Sequence, residues 1–300
     1  MREPGFTVVI PTFNRPAPLR ECLRAVGRLR APAGGFEVVV VNDGGIDPSD
    51  HVRGAAGGVA VRFMEQANRG PGAARNLGAR AARGRWLAFT DDDCLPTRDW
   101  LLHLESALAD APDALVGGSV VNALASNAYA EASQRLVTWV TTYFDGTCRE
   151  RFFTSNNIAV AREAFLGIGG FDETFGVGAG EDREFCDRWH AEARPSARAP
   201  DAVIRHAHAL DLRAFLRQHH GYGAGARAFR NARASAGRAT RVDLPFYLGS
   251  VRNAMEGRGL AGGLVLAGLT LAAHAAYLAG LAGSTMHQAL SSRGAGKPPS

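Results

Sequence analysis

Cysteine is scarce in this sequence. Its four cysteines, Cys22, Cys94, Cys148 and Cys186, are scattered without a C-x-x-C spacing. Four scattered cysteines in 300 residues argue against a disulfide framework, and the missing C-x-x-C spacing argues against a structural zinc site. Both observations favour a reduced, cytoplasmic compartment. The apolar stretch at 6–10 is also far too short for the core of a signal peptide. We therefore expect a cytoplasmic location for the bulk of the chain.

Lysine is almost absent as well, since Lys297 is the only one and arginine carries nearly all of the positive charge. The formal net charge of +5 conceals an asymmetry along the chain. Residues 1–210 hold 23 Arg against 26 Asp and Glu, a net charge of −3, whereas residues 211–300 hold 10 Arg and one Lys against three acidic residues, a net charge of +8. Such a basic region suits an anionic membrane surface better than nucleic acid.

Two common nucleotide-binding signatures are missing. No G-x-G-x-x-G follows the first predicted strand, which argues against a dinucleotide-binding Rossmann domain, and no Walker P-loop occurs. Residues 68–78 nevertheless resemble a loop that binds phosphate at a helix N-terminus, where free N–H groups and the helix dipole favour an anion. That signal is weak by itself, because Gly and Pro also mark ordinary turns.

Strands alternate with helices along the first two thirds of the chain. Buried strands are predicted at 6–10, 36–41, 59–64, 86–89, 114–121, 154–160 and 201–205. Helices are predicted at 68–83, 100–108, 126–143 and 181–189, and after Asn14, which can cap a helix whose first turn holds Pro16. The alternation predicts an α/β fold with a doubly wound, mostly parallel sheet.

Three adjacent carboxylates, Asp91, Asp92 and Asp93, directly follow the predicted strand at 86–89. Ligands of open α/β sheets bind beyond the carboxyl ends of the strands, so this acidic triplet should lie in the crevice. Burying adjacent carboxylates is costly without a positive partner. Carboxylate oxygens suit Mg²⁺ or Mn²⁺, which are often shared with substrate phosphates. The alternative is an exposed acidic turn that caps the next helix.

Two further groups could belong to the same site. Glu181 and Asp182 follow the glycine-rich segment 176–180, which could hold them at a site, although acidic residues are also ordinary at a helix start. His206 and His208 lie at i and i+2 at the end of a predicted strand and so share a face. They could supply one metal ligand and its neighbour, or form a simple packed pair.

Taken in order, these segments are similar to the family 2 glycosyltransferases of the GT-A fold. The matching segments are 9–15 (Val-Ile-Pro-Thr-Phe-Asn-Arg), 41–44 (Val-Asn-Asp-Gly), 68–76, 91–93, 169–173 (Gly-Gly-Phe-Asp-Glu), 180–182 (Gly-Glu-Asp) and the segment around His206. Each is weak singly, but all seven occur in family order between residues 6 and 208. The resemblance implies a GT-A catalytic domain at 1–208, a nucleotide-diphosphate sugar as donor, and a divalent metal, Mg²⁺ or Mn²⁺.

The resemblance also implies roles for the matched residues. Asp182 would be the general base of an inverting transfer, beside Glu181. Asp93 would bind the metal, with His206, or alternatively His208, as a further ligand. The acceptor side would include Asn157, Gly169 and Gly170. The donor pocket would be formed by Pro11, Thr12, Asn14, Asp43, Asn68, Gly70, Arg75, Asn76, Asp91 and Asp92.

The C-terminal third has a different character. Residues 209–258 interleave nine arginines with aromatic residues, which is typical of a helix at a lipid interface. Residues 259–283 contain no formally charged residue and are long enough to span a bilayer, although many are Ala and Gly. Membrane insertion and packing against the domain or a subunit interface are both compatible with this segment. We expect 209–300 to be basic, helical and membrane-associated, with a disordered tail at 291–300.

These observations predict a metal-dependent glycosyltransferase at the cytoplasmic face of the cell membrane, acting in cell-envelope or lipid-linked glycan synthesis and compatible with self-association into a homo-oligomer. A nucleotidyltransferase is a weaker alternative, because its first loop should be glycine-rich and basic. A catalytically inactive scaffold or glycan-binding relative would have no use for Asp91, Asp93 and Asp182 together. A nucleic-acid-binding protein would bind at low salt and be released as the salt concentration rises, and we expect no nucleic-acid partner.

Overall fold

The structure is a computed structural model that describes residues 3–143, 151–176, 179–238 and 244–293, with side chains as far as residue 283. Cys148, part of the glycine-rich segment 176–180 and most of the expected disordered tail lie outside the described residues. The chain divides into two compact units: the first comprises 1–126, 137–177 and 181–209, and the second comprises 127–136, 178–180 and 210–300. The expected domain boundary at residue 208 stays a prediction.

The described part of the first unit is built around a mixed sheet of eight strands in the order β3-β2-β1-β4-β7-β6-β8-β5. Its strands are β1 (Phe6–Thr12), β2 (Phe36–Asn42), β3 (Val61–Glu65), β4 (Trp86–Phe89), β5 (Cys94–Pro96), β6 (Leu115–Asn122), β7 (Ile158–Ala161) and β8 (Ser196–His206). The first four strands in that order are parallel, and so are β6 and β8. Strand β7 is antiparallel to β4 and β6, and β5 is antiparallel to β8.

Helices follow most of the strands. They are α1 (Pro16–Val26), α2 (Ser49–Val52), α3 (Pro71–Ala81), α4 (Trp100–Asp110), α5 (Ala128–Tyr143), α6 (Arg162–Gly167), α7 (Glu181–Ala191), α8 (Leu212–Ser235), α9 (Leu244–Met255) and α10 (Leu260–Arg293). The last three helices belong to the second unit. The predicted helical character of the C-terminal region is therefore observed for its described residues.

Strand β1 is buried on both faces, as expected for a central parallel strand. Because side chains alternate along a strand, Val8 and Ile10 join one apolar cluster with Leu19 of α1, whereas Val9 joins a second cluster with Phe185 of α7. Both faces of the sheet centre are thus covered. Because apolar side chains occupy both faces of the sheet centre, we look for polar chemistry at the carboxyl ends of the strands.

Two sequence-based expectations differ from the structure, and one strand was missed. Asn14 does not cap α1: it has a positive φ of 54°, and its Oδ1 accepts a hydrogen bond from the N–H of Ile46 instead. Residues 155–157 form a short 3-10 turn, so the strand predicted at 154–160 begins only at Ile158. The short strand β5 was not predicted.

Candidate active site

The carboxyl ends of β1, β2 and β4 bring the candidate polar residues to one edge of the sheet. Thr12 ends β1, Asp43 follows β2, and the acidic triplet Asp91–Asp93 follows β4. The Thr12 hydroxyl donates to Asp92 Oδ2 at 2.7 Å, which joins two strand ends directly. The prediction that these residues lie beyond the carboxyl ends of the strands is therefore confirmed.

The positive partner of the triplet is an arginine of the chain itself. Arg15 Nη1 lies 3.0 Å from Asp92 Oδ1, and Arg15 Nη2 lies 2.7 Å from Asp93 Oδ2. The carboxylates are nearly fully buried, with Asp92 3% and Asp93 7% exposed, whereas the Arg15 side chain is 44% exposed. The arginine thus covers the two carboxylates from the solvent side. Sequence reasoning gave Arg15 no role, although the charge of the triplet demanded such a partner.

The pKa values of the buried Asp92 and Asp93 carboxyls are shifted in opposite directions. Burial raises the pKa of Asp92 to about 7 although Arg15 lowers it, and the charge of Asp93 adds to the rise. Burial also raises the pKa of Asp93, but hydrogen bonding and charge from His206 and Arg15 outweigh burial and hold that pKa well below its usual range. Asp93 is therefore the carboxylate that stays ionised at neutral pH.

His206 reaches Asp93 because of the unpredicted strand. Strand β5 starts directly after the triplet and pairs antiparallel with β8, so that Cys94 lies opposite His206. His206 Nε2 is 3.2 Å from Asp93 Oδ1. The ring of His208 stacks on that of His206, with 3.9 Å between ring centroids. The structure thus brings together the two residues expected to bind metal.

The donor set fits a divalent cation. Ligand atoms of Asp93, Cys94 and His206 lie within 4.8 Å of one another. The 3.2 Å between Asp93 Oδ1 and His206 Nε2 is close to the separation of about 3 Å between adjacent ligands of an octahedral ion with bonds of about 2.1 Å. Burial raises the pKa of the Cys94 thiol well above its usual value, so this sulfur is a neutral, poor ligand. The carboxylate and the imidazole are the fitting pair.

Arg75 connects the triplet to α7. Its side chain is only 3% exposed. Arg75 Nη2 lies 2.5 Å from Asp91 Oδ1, and Arg75 Nη1 lies 3.0 Å from Glu181 Oε1. Helix α3 carries Arg75 on its buried side. One guanidinium therefore holds two separate acidic segments in a common site. The sequence placed Arg75 near the nucleotide pocket but did not reveal these two partners.

Asp182 is the neighbour of Glu181 in the first turn of α7 and is half-buried. Its Oδ1 accepts a 2.8 Å hydrogen bond from the N–H of Arg183. Burial raises the pKa of Asp182 to about 7, and the charge of Glu181 raises it further while Arg75 opposes the rise. Since Glu181 is held by Arg75, Asp182 is the carboxyl of the pair whose proton affinity suits a general base at neutral pH.

Other expected site residues hold the surrounding loops in place. Asp43 accepts hydrogen bonds from the N–H groups of Arg69 and Gly70 at 2.9 and 2.8 Å, and so fixes the turn before α3. Asn76 donates to the carbonyl of Phe171 at 2.8 Å and accepts from its N–H at 2.9 Å. Asn68 is exposed on the turn, and Pro11 is buried within β1.

The residues expected on the acceptor side fall into two groups. Gly169 and Gly170 form a turn with φ values of +90° and +68°, which suit glycine. A Cβ on Gly170 would lie 2.4 Å from Asn76 Oδ1, so the same turn is fitted closely to Asn76. Asn157 is 1% exposed, with Oδ1 accepting from Trp100 Nε1 at 2.8 Å. Its Nδ2 donates to the carbonyls of Ser119 and Ala202, so its contact with an acceptor stays a prediction.

Comparison with known proteins identifies the family of this chain. Residues 7–168 match the model of glycosyl transferase family 2. The Pre-mycofactocin glycosyltransferase of Mycobacterium tuberculosis (strain ATCC 25618 / H37Rv) is 32% identical over 231 residues, which cover 73% of this chain and 46% of that protein. The Validoxylamine A glucosyltransferase of Streptomyces hygroscopicus subsp. jinggangensis is 30% identical over 222 residues, covering 64% of this chain and 53% of that protein. This chain therefore spans about half the length of these relatives.

The fold has relatives of known structure. The mannosyltransferase PcManGT from Pyrobaculum calidifontis, solved in complex with GDP-Man and Mn²⁺, superposes with a TM-score of 0.63 at 20% identity, covering 93% of this chain and 87% of that one. The chain belongs to glycosyl transferase family 2 and has the GT-A fold with helices after it. Both the family and the fold expected from the sequence are confirmed.

Proposed function

We propose that this protein is a metal-dependent, inverting glycosyltransferase that moves a sugar from a nucleotide-diphosphate donor to an acceptor hydroxyl. The observation that carries the proposal is the bridge formed by Arg75 between Asp91 and Glu181. Transfer needs a donor site and a base held at a set separation, because much of the rate comes from orienting the reactants. In this family 2 chain, the Arg75 bridge links the proposed donor site at Asp91 to the proposed base beside Glu181, within the first unit.

On the donor side, Asp93 and His206 would hold the divalent ion. When bound, such an ion offsets the negative charge that develops on the departing nucleoside diphosphate. Thr12, Asn14 and Asp43, at the ends of β1 and β2, would line the base and ribose. The complex of the structural neighbour with GDP-Man and Mn²⁺ supports a donor and a metal of this kind.

Asp182 would accept the proton of the acceptor hydroxyl as that oxygen attacks the anomeric carbon. A single base on the acceptor side is enough for a direct displacement, which inverts the anomeric centre without a sugar–enzyme intermediate. Glu181 is poorly suited to the same task, because its carboxylate is buried against Arg75. Gly169 and Gly170 would shape the acceptor side near this base.

The pH dependence of the reaction should report Asp182. The base must be deprotonated, and burial raises its pKa to about 7, so kcat/KM is expected to rise with pH and to level off above about 7. Initial rates measured across this range at saturating metal check the prediction. Asp92 has a similar pKa of about 7, so Asp92→Asn is the control and should keep the rising limb. A profile that is level from acid to alkaline pH would refute the role of Asp182.

The acceptor and the location follow from the C-terminal region. We propose a catalytic domain at 1–208 and a membrane-associated region at 209–300, with the acceptor a cell-envelope or lipid-linked glycan at the cytoplasmic face. Within α10, residues Leu260–Gly283 are long and apolar enough to cross a membrane, with a mean hydropathy of 1.8. Length and composition alone are weak support, whereas the net charge of +8 over residues 211–300 adds an attraction for anionic lipid.

Calorimetric binding of UDP, GDP and dTDP, with and without Mn²⁺, tests the proposed donor site. We expect one nucleotide to bind in a metal-dependent manner, and Asp93→Ala to abolish that dependence. Asp50→Ala is the matched control, because the Asp50 side chain is exposed and forms a surface ion pair with Arg53. Failure of the folded protein to bind any of the three nucleotides would favour an inactive scaffold instead.

A further inference from the structure

Helices α9 and α10 of the second unit carry an unusual amount of exposed apolar surface. Thirteen large hydrophobic side chains are exposed among the described residues, and eight of them lie on these two helices. They are Leu244, Leu248, Met255, Leu260, Leu264, Val265, Leu271 and Leu278. Single exposed leucines are ordinary, but a contiguous apolar patch marks a surface that meets another apolar phase.

The spacing of these residues makes them contiguous. On α9, Leu244, Leu248, Val251 and Met255 follow each other at i, i+4, i+7 and i+11, which is one face of a helix. A groove lined by Leu248, Val251, Met255 and Leu271 joins this face to α10, with Arg252 and Glu256 also lining it. The two helices therefore share one apolar surface, which we call the α9–α10 face.

Helix α10 presents two different faces. The buried one consists of smaller residues and one leucine, namely Gly263, Leu266, Ala267, Thr270, Ala273 and Gly280. The exposed one carries large side chains at Leu260, Leu264, Leu271 and Leu278. Small residues allow close helix packing, whereas the large ones contribute to the α9–α10 face. One side of α10 therefore packs on its neighbouring helices, and the other side is exposed to solvent.

The small-residue side packs tightly on α8 and α9. A Cβ on Gly223 of α8 would lie 1.9 Å from the carbonyl oxygen of Tyr277, and a Cβ on Gly280 would lie 2.0 Å from that of His220. The two backbones are thus in direct contact at both positions. Ser250 Oγ of α9 lies 2.8 Å from His274 Nε2 of α10. Helix α10 is therefore an integral member of a helical layer.

This packing bears on whether α10 crosses a membrane. Its neighbour α8 carries five arginines: Arg213, Arg217, Arg227, Arg230 and Arg233. A spanning α10 would either draw α8 into the hydrocarbon, where arginine is strongly disfavoured, or give up the contacts at Gly223 and Gly280. Neither cost arises if the helices lie along the membrane surface. An apolar face on a basic helical layer matches the chemistry of an interfacial anchor.

We propose that the α9–α10 face rests on the surface of an anionic bilayer, with α10 lying along the membrane instead of crossing it. The inference deepens the proposed membrane association and rests on it. Two attractions act together: apolar side chains enter the boundary of the acyl chains, and the net charge of +8 over residues 211–300 favours anionic headgroups.

Flotation of the purified full chain with lipid vesicles tests the proposal. We expect binding to vesicles that contain phosphatidylglycerol, weaker binding to pure phosphatidylcholine, and release by alkaline carbonate, which strips surface proteins but leaves spanning ones. The double variant Leu248→Glu/Leu271→Glu should weaken binding by about tenfold or more, because two leucines leave the acyl boundary and two negative charges are added.

The control is Leu212→Glu, since Leu212 is also an exposed leucine of the second unit but belongs to α8 and not to α9 or α10. It should bind vesicles nearly as the wild type does, and circular dichroism shows that each variant is folded. Binding that resists carbonate would overturn the surface mode but keep membrane association. Absence of vesicle binding, or a stable dimer that hides the α9–α10 face, would overturn both. Nucleotide calorimetry decides the donor site independently of either result.

Discussion

Replacing Asp182 by asparagine is expected to lower kcat by about 10²–10⁴-fold, the usual contribution of a positioned general base. Asparagine has nearly the same shape and can still accept the hydrogen bond from the N–H of Arg183. It cannot take up the proton of an acceptor hydroxyl. The donor site involves other residues, so the affinity for the nucleotide should change little. Measuring both kcat and nucleotide affinity for Asp182→Asn therefore separates an effect on the chemical step from an effect on donor binding.

Steady-state rates of sugar transfer, together with calorimetric binding of the nucleotide, measure the effect. Asp187→Asn on the same helix is the matched control and should retain most of the activity. If Asp182→Asn retains activity within a few-fold of the wild type, the base is not Asp182. Glu181→Gln then becomes the informative variant, although its buried contact with Arg75 predicts a loss of stability as well.

Replacing Arg75 by methionine is expected to reduce the free energy of unfolding of the first unit by about 3–5 kcal/mol. The variant fills similar volume but leaves the buried Glu181 carboxylate without its cation, and removes the partner of Asp91 as well. An uncompensated buried charge costs far more than the loss of an exposed ion pair. The deficit should shrink at low pH, where carboxylates become protonated and neutral.

Urea unfolding followed by tryptophan fluorescence measures this loss, because all four tryptophans lie in the first unit. The control is Arg80→Met on the same helix, because the Arg80 side chain is 53% exposed and its Nη1 lies 3.7 Å from Glu173 Oε1. Such a surface pair should contribute less than about 1 kcal/mol. Adding Glu181→Gln to Arg75→Met should restore part of the stability. Equal stability of the Arg75→Met and Arg80→Met variants would show that the bridge has no energetic role.

Elements determined by neighbouring residues could be predicted from the sequence. Strand β4 was predicted at its observed bounds, Trp86–Phe89, because a short apolar run is followed at once by charged residues. The acidic triplet was correctly placed beyond a strand end for the same reason. Helix α3 was expected from 68 to 83, and the structure confirms it as Pro71–Ala81. Patterns of neighbouring residues decide all three features.

Features that depend on contacts between residues distant in the sequence could not be predicted. Strand β5 contains only Cys94–Pro96 and exists because β8 offers it hydrogen bonds. The antiparallel direction of β7 depends on where the chain returns to the sheet. Arg15 faces the triplet only once β1 and β4 are adjacent, so no spacing rule could pair them. Asn14 is a residue type that often caps helices, but its Oδ1 accepts a hydrogen bond from the N–H of Ile46, which lies far along the sequence.

Because β5 pairs with β8, the proposed binding of a cation by Asp93 and His206 would also stabilise the edge of the sheet. Asp93 and His206 are far apart in the sequence and meet only when Cys94 lies opposite His206. Any cation held by these two side chains favours the paired edge over a frayed one, and its binding free energy adds to the stability of that edge. The outermost strands would then exchange their amide hydrogens more slowly as metal is added. The proposed cation would then stabilise the pairing of the last two strands in addition to any role in sugar transfer.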